Sequence, residues 1–314
     1  GRWEYASSRE TNRWVRINDL RDEFIWVSLI HPFATRSAAL NRLSGLVFQH
    51  YAALLPSAVR KRLSSYTHIL IESGIAVLLA PLIRRLAPDA KLIYHAADQM
   101  ETIGAHPCFR TVWDRSIRDY DAIHILAESQ RADMPAGVPI LLLPHGIATD
   151  VFDAAVQTPY AASNNAVSVG DMLFDAEVLT TLARANPDWT FHLFGRKSRI
   201  EENFANVVTH GEVPFATVAG YIRHADVGIA PYSPAPGADY LSQSSLKMIQ
   251  YTYCRLPIVA PVFASAGRPH VMAYEPGNPS SILAAFDAAK VYNRLSIDIS
   301  QAMTWQDMAA RLFA

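Results

Sequence analysis

The run Ser244-Ser245-Leu246-Lys247 has the residue types and spacing to hold a phosphate. A serine there can cap a helix N-terminus, and the pattern continues as a helix to Tyr253. At 100° per residue, Ser244, Lys247 and Tyr251 share one face, and Leu246, Ile249 and Tyr253 lie roughly opposite. The expected arrangement packs the Leu246 face on a sheet and leaves a hydroxyl and an ammonium beside unpaired backbone amides. A helix N-terminus with a lysine in its first turn suits a diphosphate. The same spacing also fits an ordinary buried helix with an exposed lysine. A carboxylate, Asp98, follows the β-prone run 91–95, and ligands of open α/β sheets bind at that end of a strand.

The elements around the helix follow from local pattern. Residues 227–230 read as a short buried strand stopped by Pro231, which cannot continue a central ladder. Before it, Gly211-Glu212-Val213-Pro214 leads into an amphipathic helix. Further strands are expected at 166–169, leading into Gly170-Asp171-Met172-Leu173-Phe174-Asp175 and a helix, and at 190–194, 206–209 and 257–260. In the first half, strands are expected at 24–29, 68–72, 91–95, 121–127 and 140–143. Residues 36–63 read as helical, mixing Arg36, Arg42 and Arg60-Lys61-Arg62 with Phe48 and Tyr51. Such a mixture fits either an anionic bilayer surface or a solvated helix pair. Strands alternating with helices imply parallel, doubly wound sheets.

With 314 residues the chain has room for two such domains. The polar stretch 157–165, with Pro159 and paired asparagines, is the expected linker. The resulting division is 1–156, 157–290 and a C-terminal helical segment 291–314 that could cross back to the first domain. A doubly wound domain usually opens with a strand leading into a helix. The polar start at Gly1 lacks that unit, so the first domain is read as N-terminally incomplete. The net charge of −1 argues against nucleic acid as a partner. Cys108 and Cys254 fit neither a disulfide framework nor a zinc site and point to a reducing compartment. No apolar run reaches the roughly 18 residues of a spanning helix. Asp171 and Asp175 read as flanks of a helix start rather than a metal pair, and no His pair has HExxH spacing.

Several stretches, in order, resemble glucuronosyltransferases of the GumK family, the GT-B enzymes of xanthan-type polysaccharide assembly. They are His31-Pro32-Phe33, Glu72-Ser73-Gly74-Ile75-Ala76-Val77, Gly170-Asp171-Met172-Leu173-Phe174-Asp175, Gly220-Tyr221-Ile222-Arg223-His224-Ala225, Gly228-Ile229-Ala230-Pro231-Tyr232 and Ser244-Ser245-Leu246-Lys247. The resemblance implies two Rossmann-like α/β domains. It also implies inverting, metal-independent transfer of glucuronic acid from UDP-glucuronate to a mannosyl acceptor on a polyprenyl-diphosphate-linked oligosaccharide, with no cofactor. The expected location is peripheral, on the cytoplasmic face of the inner membrane.

The resemblance places Asp98 as catalytic base, with His95 as a competing base three residues earlier. Met172, Glu212, Tyr232, Ser245, Lys247 and Gln250 match nucleotide-binding positions; Ser244 adjoins them, and Leu246 stands where methionine is expected. In that reading Tyr232 stacks on or borders the uracil, Glu212 accepts from ribose hydroxyls, Lys247 and the amides near Ser245 take the diphosphate, and Gln250 helps read the sugar carboxylate. Two other readings stay open here: a UDP-sugar epimerase, since fold alone does not decide function, and a non-catalytic membrane-peripheral nucleotide-sugar-binding subunit.

Overall fold

A computed structural model of the chain describes residues 10–98, 100 and 104–314. It divides into two compact units, Gly1–Ile125 with Arg131–Leu141, and Leu126–Gln130 with Leu142–Ala314. The first opens on a hairpin, β1 (Trp14–Asn18) antiparallel to β2 (Arg21–Phe24). Helices α1 (Ala38–Phe48) and α2 (Ser57–Leu63) follow. The strand expected at 24–29 does not form. The Asn18 side chain accepts the Leu20 amide at 2.9 Å. That tight turn folds 14–24 on itself, and Ile25 makes an isolated bridge to Thr11.

The sheet of the first unit is β3 (His68–Glu72), β4 (Lys91–Ala96), β5 (Ala122–Ile125) and β6 (Ile140–Leu142), in that spatial order. β3, β4 and β5 run parallel. Between β3 and β4 lie a 3₁₀ turn, Ile75–Leu79, and α3 (Ala80–Leu86); α4 (Pro107–Ser116) precedes β5. Val77, Ile83, Leu92 and Ile123 are buried in one cluster with Trp113 of α4. The register puts Glu72, His95 and His124 in one row across three strands, at their C-terminal ends.

The second unit begins before the expected linker. It takes in α5 (Thr149–Ala154), whose Phe152 is fully buried and packs edge-on against Phe215 at 5.7 Å. The stretch read as a linker is packed rather than free. Tyr160 donates its hydroxyl to the Tyr221 carbonyl at 2.7 Å, and its ring meets His192 at 4.9 Å. By contacts the division therefore falls at Leu141/Leu142.

Six parallel strands follow. They are β7 (Asn165–Val169), β8 (Thr190–Phe194), β9 (Val207–Gly211), β10 (Val227–Ile229), β11 (Ile258–Pro261) and β12 (Val271–Tyr274). The helices are α6 (Ala176–Ala185), α7 (Phe215–His224), α8 (Leu241–Ser244), α9 (Leu246–Tyr253), α10 (Val262–Ser265), α11 (Pro279–Lys290) and α12 (Trp305–Leu312). Sequence pattern gave no sign of β12.

The spatial order is β12-β11-β10-β7-β8-β9. The chain thus winds outward from β7 through β8 to β9, then returns to lay β10 on the other side of β7. Connections leave β7 and β10 in opposite directions, which opens a crevice at their carboxyl ends. The segment before α12 belongs to this unit: the Ile147 amide donates to the Met303 carbonyl at 2.9 Å. Gly146 allows that approach, since a Cβ there would sit 2.6 Å from the Thr304 oxygen.

Candidate functional site

The crevice between β7 and β10 is lined by Gly170-Asp171-Met172 and by Ala230-Pro231-Tyr232, with α9 entering above them. Ser245 caps α9, its Oγ accepting the Met248 amide at 3.4 Å. The same Oγ lies 2.6 Å from the Tyr232 hydroxyl, which fixes the cap to the end of β10. Ser244 is not the cap; it is buried and donates to the Tyr240 carbonyl at 3.0 Å.

The helix faces are the reverse of the amphipathic expectation. Tyr251, not the Leu246 face, packs on the sheet. Gly228 of β10 leaves room for that ring, because a Cβ there would lie 2.5 Å from Tyr251 Cδ2. The Tyr251 hydroxyl ties β7 to β10, accepting from the Val169 amide at 3.1 Å and facing the Val167 and Ile229 carbonyls at 3.3 and 3.5 Å. Leu246, Ile249 and Tyr253 are half-buried on the other side.

Lys247 shares the Tyr251 face and is therefore turned inward. Its Nζ is buried, has no hydrogen-bond partner, and stands 4.6 Å from the centroid of the Tyr232 ring. Gly170, with φ of 88°, flanks the ammonium: a Cβ there would stand 3.8 Å from Nζ. Burial lowers the Lys247 pKa to about 7, against a smaller opposing pull from the Asp171 carboxylate. An ammonium held this way lacks the three acceptors it would find in water, and a ligand oxygen can supply them.

Asp171 does not serve as that ligand because its oxygens are engaged. It accepts from the Lys197 amide at 2.8 Å, the Arg196 and Ser198 amides at 3.1 Å each, and the Ser198 hydroxyl at 3.0 Å. Burial pushes its pKa up, but these hydrogen bonds outweigh it and hold the carboxyl below its ordinary value. The loop after β8 is thereby pinned to the loop after β7. Gly195 makes this possible, since a Cβ there would meet Asp171 Oδ1 at 2.2 Å. Arg196, set by that loop, pairs with Glu212 at 2.9 Å just beyond β9. Asp175 caps α6 through the Glu177 amide.

Of the other candidates in this unit, Met172 is 40% exposed at the crevice and its Sδ faces the Tyr240 hydroxyl at 3.8 Å. Gln250 is buried. Tyr232 is 2% exposed, with its ring under Lys247. Met172, Tyr232, Ser245 and Lys247 thus surround one crevice, and Glu212 stands beside the pinned loop. Sequence reading did not single out Asp171 as the organiser, or Arg196; the glycines flanking each loop were the available signal. Among the described residues no three His, Cys, Asp or Glu side chains are grouped to hold a metal ion.

In the first unit Asp98 lies half-buried two residues past β4. Its amide donates to Ser73 Oγ at 3.0 Å, and the Ser73 amide donates to the His95 carbonyl at 2.9 Å. Burial, and then the Asp98 charge, raise the Glu72 pKa. Two acidic groups therefore share the carboxyl edge of this sheet. His95, the competing base, is 9% exposed and stacked on His124 at 4.6 Å.

Residues 1–126 match the N-terminal domain of the glucuronosyltransferase GumK. The chain is 32% identical to the UDP-glucuronate:glycolipid 2-beta-glucuronosyltransferase of Xanthomonas campestris pv. campestris, over 93% of this chain and 72% of that protein. Among solved structures it resembles a UDP-forming trehalose-phosphate synthase from Burkholderia xenovorans, with a TM-score of 0.62 and 13% identity over 88% of this chain and 79% of that one. It also resembles an E. coli trehalose-6-phosphate enzyme bound with UDP-2-fluoro glucose, with a TM-score of 0.59 and 15% identity over 86% and 75%. At such identities the structural likeness bears on fold alone, and that fold is GT-B, built of Rossmann-like α/β domains with parallel sheets.

Proposed function

Since the chain belongs to the GumK family of glucuronosyltransferases and is a glycosyltransferase, we propose that it transfers glucuronic acid from UDP-glucuronate to a lipid-linked oligosaccharide. In this reading the acceptor is a mannose on a polyprenyl-diphosphate carrier, the anomeric centre inverts, and no metal takes part. Lys247 is the observation that carries it. A buried ammonium without acceptors, beside a capped helix N-terminus at the switch point of a doubly wound sheet, has the charge and direction to receive a diphosphate. The same cation would stabilise the leaving UDP, which is the work a divalent ion does elsewhere.

The step forms a bond from an acceptor hydroxyl oxygen to the anomeric carbon and breaks the bond from that carbon to the UDP oxygen. The hydroxyl proton goes to Asp98, and the negative charge leaves on the diphosphate toward Lys247 and the amides near Ser245. Family membership supports transfer over epimerisation of the free nucleotide sugar or binding without catalysis. Offered UDP-glucuronate, UDP-glucose and GDP-mannose with a lipid-linked mannosyl acceptor, the protein should give a glucuronylated product only. Chelation of divalent cations should leave its rate unchanged. A product from UDP-glucose instead, read by mass spectrometry, would replace the donor in this proposal.

The acceptor's lipid suggests where the first unit meets the membrane. None of the eleven residues of α1 is buried, and Leu40, Leu43, Leu46 and Val47 are all more than half exposed. Arg36 and Arg42 are exposed beside them. Exposed leucines with flanking arginines fit the surface of an anionic bilayer. Among the described residues no helix is long and apolar enough to cross one. Leu43→Asp with Leu46→Asp should lower partitioning onto phosphatidylglycerol vesicles at least tenfold, since each buried leucine side chain contributes about 1.5–3 kcal/mol. UDP-glucuronate affinity should not change. Equal flotation of wild type and double variant would remove α1 as the contact.

A further inference from the structure

The second unit contains a cavity of about 360 Å³ lined by none of the residues assigned above to the transfer. Its wall includes Ile249 and Thr252 of α9, with Arg268 and His270 opposite and Ile299 and Ala302 closing one side. At 100° per residue, Ile249 and Thr252 lie on the side of α9 away from Lys247. One helix therefore separates this cavity from the crevice.

Arg268 gives the cavity its charge. The guanidinium has no carboxylate within ion-pair distance among the described residues. Its contacts are the Ser265 carbonyl at 3.3 Å, the Ala264 carbonyl at 3.5 Å and the Met248 sulfur at 3.9 Å. His270 adds a hydrogen-bonding group at Thr252 Oγ1, 2.9 Å away, but no charge: burial, and then the neighbouring Arg268, lower its pKa to about 4. The one acid on the rim, Asp298, is exposed and turned to its own loop, accepting the Ser300 amide at 2.8 Å and hydroxyl at 3.0 Å. The remaining wall is largely apolar, with Pro144, Ile249, Pro269, Ile299 and Ala302.

We propose that this cavity is a second ligand site, taking an anionic amphiphile whose carboxylate or phosphate monoester meets Arg268 while its apolar body fills the space against Ile249 and Ile299. The volume is in the range of small-molecule sites, and a cation without a counter-ion in a mostly apolar pocket selects this combination. The ligand also touches the helix that carries Ser245 and Lys247. Its binding is thereby coupled to donor binding, a consequence that rests on the reading of the crevice above.

Octanoate, octyl phosphate and octanol titrated into the full chain, with binding read by calorimetry, test the site without reference to activity. At least one of the two anions should bind about tenfold or more tightly than octanol, as expected for a charge-assisted contact; which one wins tells a carboxylate ligand from a phosphate. Arg268→Met should abolish that preference while keeping the weak binding of octanol. Ile299→Trp, which fills the cavity and leaves the arginine, should abolish binding of all three. Anions and alcohol binding alike, or anion binding that survives both substitutions, would overturn the proposal. Should Arg268→Met fail to fold, the alcohol comparison and Ile299→Trp still decide it. A donor affinity indifferent to saturating anion would remove the coupling and leave the site.

Discussion

Lys247→Met should make the ligand-free protein more stable and, in the same substitution, cost most of its affinity for UDP-glucuronate. The two effects have one origin. The ammonium sits buried with no hydrogen-bond partner, and leaving such a group unsatisfied costs about 1–3 kcal/mol. Methionine keeps an unbranched chain of similar length beneath Gly170 and over Tyr232, without the polar head. A rise of several degrees in Tm is expected. The lost contact to the diphosphate is charge-assisted, so affinity should fall about 10- to 100-fold.

The pH dependence follows from the lowered pKa. The unfolded lysine titrates near its ordinary value of 10.5 and the folded one at about 7. Below pH 7 both states hold the proton, and the cost of burying the charge is fully present. Between 7 and 10.5 the folded state has released a proton that the unfolded state keeps, so wild-type stability at this residue rises with pH across that window. The stabilising effect of methionine should accordingly be largest below pH 7 and fade above it. Binding shows the complement. A diphosphate favours the protonated lysine, so UDP-glucuronate should take up about one proton at pH 8.5 and little at pH 6. Calorimetry in buffers of different ionisation heat reads that number directly. Unchanged affinity together with no proton uptake would take the lysine out of the site.

The reversed orientation of α9 marks where sequence reading stopped. The strand at β10, its end at Pro231 and the cap at Ser245 were legible because each is a local matter of propensity, a missing amide or a side-chain acceptor. Which face of α9 meets the sheet is not local. Leu246, Ile249 and Tyr253 form one apolar stripe and Met248 and Tyr251 another, and amphipathicity cannot rank two apolar stripes. The decision rests with Gly228, on a strand distant in sequence, whose missing side chain admits the Tyr251 ring. Once Tyr251 is seated, Lys247 has to follow it inward. The lysine was expected at the start of the helix, where the structure has it, but its burial, and with it the shifted pKa, was invisible. The same limit explains the 24–29 run and the 157–165 stretch. One lost its strand to a side-chain turn at Asn18, and the other was fastened by the Tyr160 hydroxyl.

Asp98→Asn should abolish transfer while leaving the donor bound as before. A general base contributes about 10²–10⁴ in rate, and loss of turnover in that range is expected with UDP-glucuronate affinity within twofold of wild type. The substitution is well suited to the question. Asparagine has the shape of aspartate, and the hydrogen bond from the backbone amide of this residue to Ser73 Oγ does not depend on the side-chain charge. A residue serving only to shape the turn would then keep its activity, so structure and chemistry give different answers. Glu72 supplies an internal control. Its pKa is raised by burial first and by the Asp98 charge second, so removing that charge should let it fall part of the way toward its ordinary value. Carboxyl resonances followed against pH would show that movement even in an inactive variant. Full turnover in Asp98→Asn would pass the base role to another group. His95 is poorly placed to inherit it, because its ring is buried against His124 in the strand row rather than set beyond the sheet edge. Glu72, at the carboxyl end of β3 and already electrostatically coupled to Asp98, would be the next carboxylate to replace.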